Sequence, residues 1–223
     1  MFIDCCLERL KGSQSAPDSG RRTGLRQRKT CCVIHIECMD MSSNWKSMST
    51  YAKTVRSHLY RGATAIAVFD DAQARGLEAY DETSRSLRQR IESELIAGSL
   101  LIEDICAERS PEIPQPDICA LCGRRLPPLT RDHLWAKSRG GKGGDNFIWV
   151  CHPCNSDKKN MDLFEWIECT AGRKKPVPIW ACRRYLFNAW SYCKTRGLLD
   201  KQVKKAGSLP FKLRSIPSEL PLR

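Results

Sequence analysis

The sequence is short of histidine, long apolar runs and, toward its end, acid. Four histidines occur in 223 residues, and two of them, His133 and His152, fall in the single stretch 131–160. The longest apolar runs, such as ATAIAVF, are far shorter than the roughly 20 residues that cross a bilayer, so no membrane partner is expected. The opening MFIDCCLERLKGSQ has no sustained apolar core, which argues against a signal peptide, and Met39, Met41 and Met48 stand as alternative starts. No internal repeat is visible, which argues against a repeat array. Residues 169–223 carry 13 basic side chains and only 2 acidic ones, whereas 49–118 carry 8 and 12. The net charge of +12 and pI of about 9.2 therefore sit mostly in the last quarter. Such an excess favours a polyanionic partner, nucleic acid first.

Cysteine, by contrast, is plentiful: 13, an odd number. With no export signal the expected compartment is the reducing cytoplasm, where regularly spaced pairs read as metal ligands rather than disulfides. Cys5, Cys6, Cys31, Cys32 and Cys38 show no ligand spacing. Cys119 and Cys122 form one Cys-x-x-Cys and Cys151 and Cys154 another, with 28 residues between them. Two such knuckles let four thiolates meet around one tetrahedral Zn²⁺, a staple that suits a unit with few core residues. Gly123 permits the tight turn after the first knuckle. With four cysteines available, His152 is expected to be an exposed spacer.

The chain divides by composition. Residues 1–48 are small, polar and basic, a disordered arm. Residues 49–110 are helical: Leu87, Ile91, Leu95, Leu101, Ile102 and Ile105 recur near a 3.6-residue period, Asp81 and Thr83 are candidate caps, and Gly98 marks a break. Residues 111–118 form a proline-rich linker. Residues 119–170 are the compact unit. Residues 171–223 form a basic helical and extended region, with a helix over IWACRRYLFNAWSYCKTRGLL, candidate contacts at Trp180, Leu186, Phe187 and Trp190, and an end at Gly197.

Between the cysteine pairs, LTRDHLW and FIWV read as strands, and NSDKKNMDLFEWIE as a helix. On a strand, Asp132 and His133 point to opposite faces unless a bulge or strand end intervenes. The loop KSRGGKGGDN supplies four glycines and three basic residues, able to approach phosphates.

In order, Cys-x-x-Cys-Gly, Asp-His, a Gly-Gly loop with Asn, and Cys-x-x-Cys-Asn-x-x-Lys resemble the HNH endonuclease family and its ββα-metal finger. The likeness covers about Cys119 to Met161. Trp135 and Ala136 depart from the usual small apolar residue and proline, and Asn155 stands in place of the last histidine. The resemblance implies an α+β fold: a small ββα-metal finger stapled by a four-cysteine zinc site and flanked by helices. It also implies a DNA endonuclease using Mg²⁺ or Mn²⁺. His133 would be the general base; Asp132 and Asn155 would hold the divalent ion; Asn146 would tie the loop and hold His133. Arg139, Lys142 and Lys158 would grip phosphates. Two other readings stand beside this one: a non-catalytic zinc-ribbon that binds nucleic acid, and an interaction protein built on the 49–109 helices.

Overall fold

The computed structural model describes residues 53–106, 117–141, 146–170 and 172–222. The arm at 1–48, most of the 111–118 linker and Lys142 lie outside them. Among the described residues the architecture is mixed α and β, with one two-stranded antiparallel sheet.

Helix α1 (Val55–Ala74) is the central helix. Thr54 Oγ1 accepts from the Ser57 N–H at 3.2 Å and caps it. Its sequence is rich in alanine and apolar residues, so it is buried on several sides: Val55, Leu59, Ala63, Ile66, Val68 and Phe69 all lie in the core. Gly62 marks the closest approach. A Cβ there would stand 2.5 Å from Ile216 Cγ2 and 3.0 Å from the Leu186 methyls.

Helix α2 (Glu82–Ala97) starts where Asp81 accepts from the Ser84 N–H at 2.8 Å and stops at Gly98, whose φ of 74° completes a left-handed C-cap. Arg75 pairs with both Asp71 and Asp81 and so ties the end of α1 to the start of α2. Thr83 lies one residue inside the helix. The apolar period continues past the Gly98 break into helix α3 (Ile102–Cys106).

Strands β1 (Leu129–His133) and β2 (Phe147–Cys151) pair with Leu129 opposite Cys151 and His133 opposite Phe147. Helix α4 (His152–Lys158) follows β2 directly. The single helix expected over NSDKKNMDLFEWIE is instead two. Lys159 takes φ 52° and ends α4, and Asp162 begins helix α5 (Leu163–Glu168) with a capping box to Glu165.

Helix α6 (Ile179–Thr195) follows the expected boundaries, with Gly197 at φ 60° just beyond. Leu186 and Trp190 are buried, and Trp190 Nε1 donates to Glu103 on α3 at 2.7 Å. Phe187, expected as an apolar contact, is 39% exposed. The segment after α6, read from the sequence as a basic extended tail, folds back: Phe211, Leu213, Ile216 and Leu220 enter the same hydrophobic core as α1, α6 and the cysteine-bearing segment. No helix among the described residues is long and apolar enough to cross a membrane.

Candidate functional site

The first knuckle is a tight hairpin. Ile118 bridges Arg125, the Cys119 N–H donates to the Arg124 carbonyl at 2.9 Å, and Gly123 N–H returns to the Cys119 carbonyl at 2.9 Å. Gly123 holds φ 68°, which a side chain would strain. The Ala120 N–H donates to the Trp149 carbonyl at 2.9 Å and sews the knuckle onto β2. The second knuckle is the β2–α4 junction: Cys151 ends the strand and caps the helix, and Cys154 sits in its first turn.

All four sulfurs are buried and lie within 4.8 Å of one another; Cys122 Sγ is 4.0 Å from Cys151 Sγ. Four thiolates about 2.3 Å from one zinc ion stand about 3.8 Å apart, so the cluster fits a metal ion such as zinc. The thiols are tuned unequally. Burial pushes Cys119 and Cys154 up. Burial also opposes ionisation of Cys122, but hydrogen bonds from the Arg124 backbone and side chain, and from Cys119 and Cys154, outweigh it and hold that thiol at about 7. Cys122 thus forms a thiolate near neutrality more readily than Cys119 or Cys154. His152 is exposed between the two ligands of its knuckle.

The hairpin and α4 enclose a second, polar cluster. Thr130 and Asp132 alternate on the same face of β1, and α4 lies over them. Asn155 Nδ2 donates to Thr130 Oγ1 at 3.0 Å, leaving its amide oxygen as the atom open to a ligand. One turn on, the Lys158 ammonium stands 3.1 Å from Asp132 Oδ2 and donates to Oδ1 at 3.3 Å and to the His133 carbonyl at 2.6 Å. Asp132 Oδ1 also accepts from the His133 N–H at 2.8 Å. Both members of the ion pair are buried, Lys158 at 1% and Asp132 at 6% exposure. Burial lowers the Lys158 amine, and Asp132 opposes the shift.

Asp132 and Asn155 thus both lie between β1 and α4, Asp132 bonded to Lys158 and Asn155 to Thr130. His133 adjoins them through its backbone. Its half-buried ring belongs, by register, to the other sheet face, opposite Phe147. On that face the Arg131 guanidinium lies 4.6 Å from the Phe147 ring centre and 5.3 Å from that of Trp149. His133 is also the last residue of β1, where alternation gives way to the turn at Leu134.

Asn146 is buried and ties the loop, as expected. Its Oδ1 accepts from the Trp135 N–H at 3.0 Å, and its Nδ2 donates to the carbonyls of Gly141 (2.8 Å) and Trp135 (3.2 Å). A Cβ on Gly141 would stand 2.7 Å from that Nδ2 and 2.7 Å from the Trp135 carbonyl oxygen, so only glycine fits. Asn146 does not reach His133; Lys158 holds that backbone instead.

Two expected phosphate grips are placed otherwise. Lys158 is committed to Asp132 inside the fold. Arg139 pairs with Asp162 and with Glu165, the latter at 3.2 Å. Both corrections have one physical reason: a cation beside a buried carboxylate is held there by desolvation, and the sequence does not show which carboxylates are buried.

Asp162 was not singled out by the sequence, yet it is the hub of this region. It is fully buried; its oxygens accept from the Ala136 N–H (2.9 Å), the Lys212 N–H (2.8 Å), Arg139 and the Tyr185 hydroxyl (3.4 Å). The signal was present in Asp162-x-x-Glu165 ahead of an apolar run, the pattern of a capping box. Trp135 packs against Tyr185, Tyr192 and Phe211, so an aromatic at that position serves the C-terminal core.

Comparison with protein-family models, curated proteins and solved structures gave no match in any of the three. The functional reading rests on this geometry and on the residue pattern.

Proposed function

We propose that this chain is a metal-dependent endonuclease of the HNH type that hydrolyses phosphodiester bonds in DNA. One observation carries the reading. A strand–strand–helix unit that carries the buried four-cysteine cluster holds Asp132 and Asn155 between β1 and α4, and the His133 backbone bonds to the same Asp132–Lys158 pair at the end of β1.

The two side chains offer oxygens that suit a hard cation. Asp132 Oδ2 is buried and makes no hydrogen bond, its charge met only by the Lys158 ammonium at 3.1 Å, which a divalent ion would displace, and the Asn155 amide oxygen adds a neutral donor. Asp132 and Asn155 would hold Mg²⁺ or Mn²⁺, which when bound supplies Lewis-acid polarisation of the scissile phosphate and charge stabilisation at the leaving 3′ oxygen. The protein's own residues do the rest. His133, with no hydrogen bond to its ring among the described residues, takes a proton from the attacking water at a ring nitrogen. Lys158 fixes both the Asp132 carboxylate and the His133 carbonyl, and so sets the separation of the two functional side chains. Asn146 holds loop 134–141 against β2.

The Lys158 ammonium also favours a second reading. It already neutralises Asp132, as it would in a zinc-ribbon module that binds nucleic acid without cutting it.

Incubation of purified protein with supercoiled plasmid in Mg²⁺ or Mn²⁺, beside EDTA and His133→Ala, separates the two. The nuclease reading expects metal-dependent nicking or linearisation, reduced about 100-fold or more by His133→Ala with zinc content unchanged. DNA that is retarded yet intact with every metal tried would establish the binding module.

A further inference from the structure

The positive charge after residue 169 is not spread evenly once ion pairs are taken into account. Lys194 is matched by Glu103, Lys212 by Glu165, Arg183 by Asp70 and Arg173 by Glu168. Among the side chains with no ion pair in the described residues, one group clusters. The chain after α6 is stitched to the start of α1: Val55 N–H donates to the Lys201 carbonyl (3.0 Å), Arg56 N–H to the Leu199 carbonyl (2.8 Å) and Val203 N–H to the Lys53 carbonyl (2.8 Å), and Thr54 bridges Gln202. These bonds place Lys53 beside Lys201, Lys204 and Lys205. All four side chains are exposed, and none has an ion-pair partner among the described residues. The nearest acid in sequence, Asp200, is taken by Arg56 in a two-bond pair at 2.7 and 2.8 Å.

The N–H groups of the first turn of α1 are not the attraction. Those of Val55, Arg56 and Ser57 are already bonded to Lys201, Leu199 and Thr54.

We infer that the strip formed by Lys53, Lys201, Lys204 and Lys205 is a binding surface for the phosphate backbone of duplex nucleic acid, separate from Asp132 and Asn155. Its chemistry is that of sequence-independent contact. Ammonium groups on flexible stems neutralise successive phosphates and release counter-ions, and a lysine has no planar fork with which to read a base edge in two bonds. The strip would hold the duplex for a nuclease and for a non-cutting module alike, so it stands apart from the choice between them.

The test is fluorescence anisotropy of the full chain with a labelled 30-base-pair duplex of arbitrary sequence, without added Mg²⁺ or Mn²⁺ so that cleavage does not enter. The variant Lys53→Ala/Lys201→Ala/Lys204→Ala/Lys205→Ala is expected to bind at least about tenfold more weakly at about 100 mM salt. The slope of log K against log salt should shrink by about 0.9 for each phosphate that is no longer neutralised. The four Lys→Arg changes keep the charge and should retain binding, and Arg85→Ala, on α2 and paired with Glu82, should leave it within twofold. Wild-type affinity and slope in the alanine variant would overturn the proposal. So would equal loss in the arginine variant, and so would binding of the wild type to vesicles containing phosphatidylserine but not to the duplex. Loss of plasmid cleavage alone, with duplex binding intact, would sink the nuclease and leave the strip standing.

Discussion

At the scale of single residues, Lys158 shows how burial reassigns a charge. Four residues after Cys154, on a basic background, it reads as a phosphate contact. In the fold it is 1% exposed and spans Asp132 and the His133 carbonyl. The two roles predict very different costs. Lys158→Met leaves the Asp132 carboxylate buried and uncompensated and should cost about 3–5 kcal/mol, whereas a solvated surface lysine would change stability by no more than about 0.5 kcal/mol. Urea denaturation of the zinc-loaded protein decides it, and Lys158→Met/Asp132→Asn should recover part of the loss because no unpaired charge remains. A midpoint unmoved by Lys158→Met would place the ammonium in solvent.

At the scale of elements, the four-cysteine cluster, which fits a metal ion such as zinc, joins what the sheet alone does not. Two five-residue strands and a seven-residue helix make a small unit that gains from a staple beyond the core it shares with α1 and α6. The four cysteines join the 118–125 hairpin to the β2–α4 corner, fixing the start of the helix that carries Asn155 and Lys158. Purified protein should contain about one zinc per chain by atomic emission. Cys122→Ser or Cys154→Ser should drop this well below one and lower the thermal midpoint. Chelation should unfold the 119–160 region, since structural zinc in finger peptides contributes on the order of 10–16 kcal/mol near pH 7. A wild-type protein that folds fully without bound metal would show the cluster to be only buried thiols.

At the scale of the whole molecule, ion pairs between distant segments set an acid limit. For Glu103 and Glu165 burial raises the carboxyl, but hydrogen bonds from Lys194 and Trp190 to the first, and from Lys212 and Arg139 to the second, outweigh it. Both therefore titrate below the ordinary value of 4.5. Lower values in the folded state mean that this stability is fully present above about pH 4.5 and is lost as pH falls through the folded values. Each pair is partly exposed, so the contribution is under about 1 kcal/mol. The denaturation midpoint from pH 6 to pH 3 should fall more gently in Glu165→Gln than in wild type. An identical slope would show that the Lys212 and Arg139 pairs do not hold the tail and loop 134–141 to α5.

Local chemistry was legible in the sequence wherever neighbours along the chain suffice to cause it. The Asp81 cap, the Gly98 stop, the α6 boundaries, the two strands and the paired cysteines follow from backbone sterics, period and ligand spacing, and the structure places each where these lead. Tertiary structure decided the rest, because burial is a property of the assembled chain. It split one expected helix at Lys159 and made Asp162 a buried hub joining loop 134–141, α6 and the C-terminal segment. It turned Lys158 and Arg139 inward to carboxylates. It folded the basic tail back onto α1, so that four lysines from two ends of the described chain meet on one surface. A residue's type says what it can bind; only packing says which partner removes it from water.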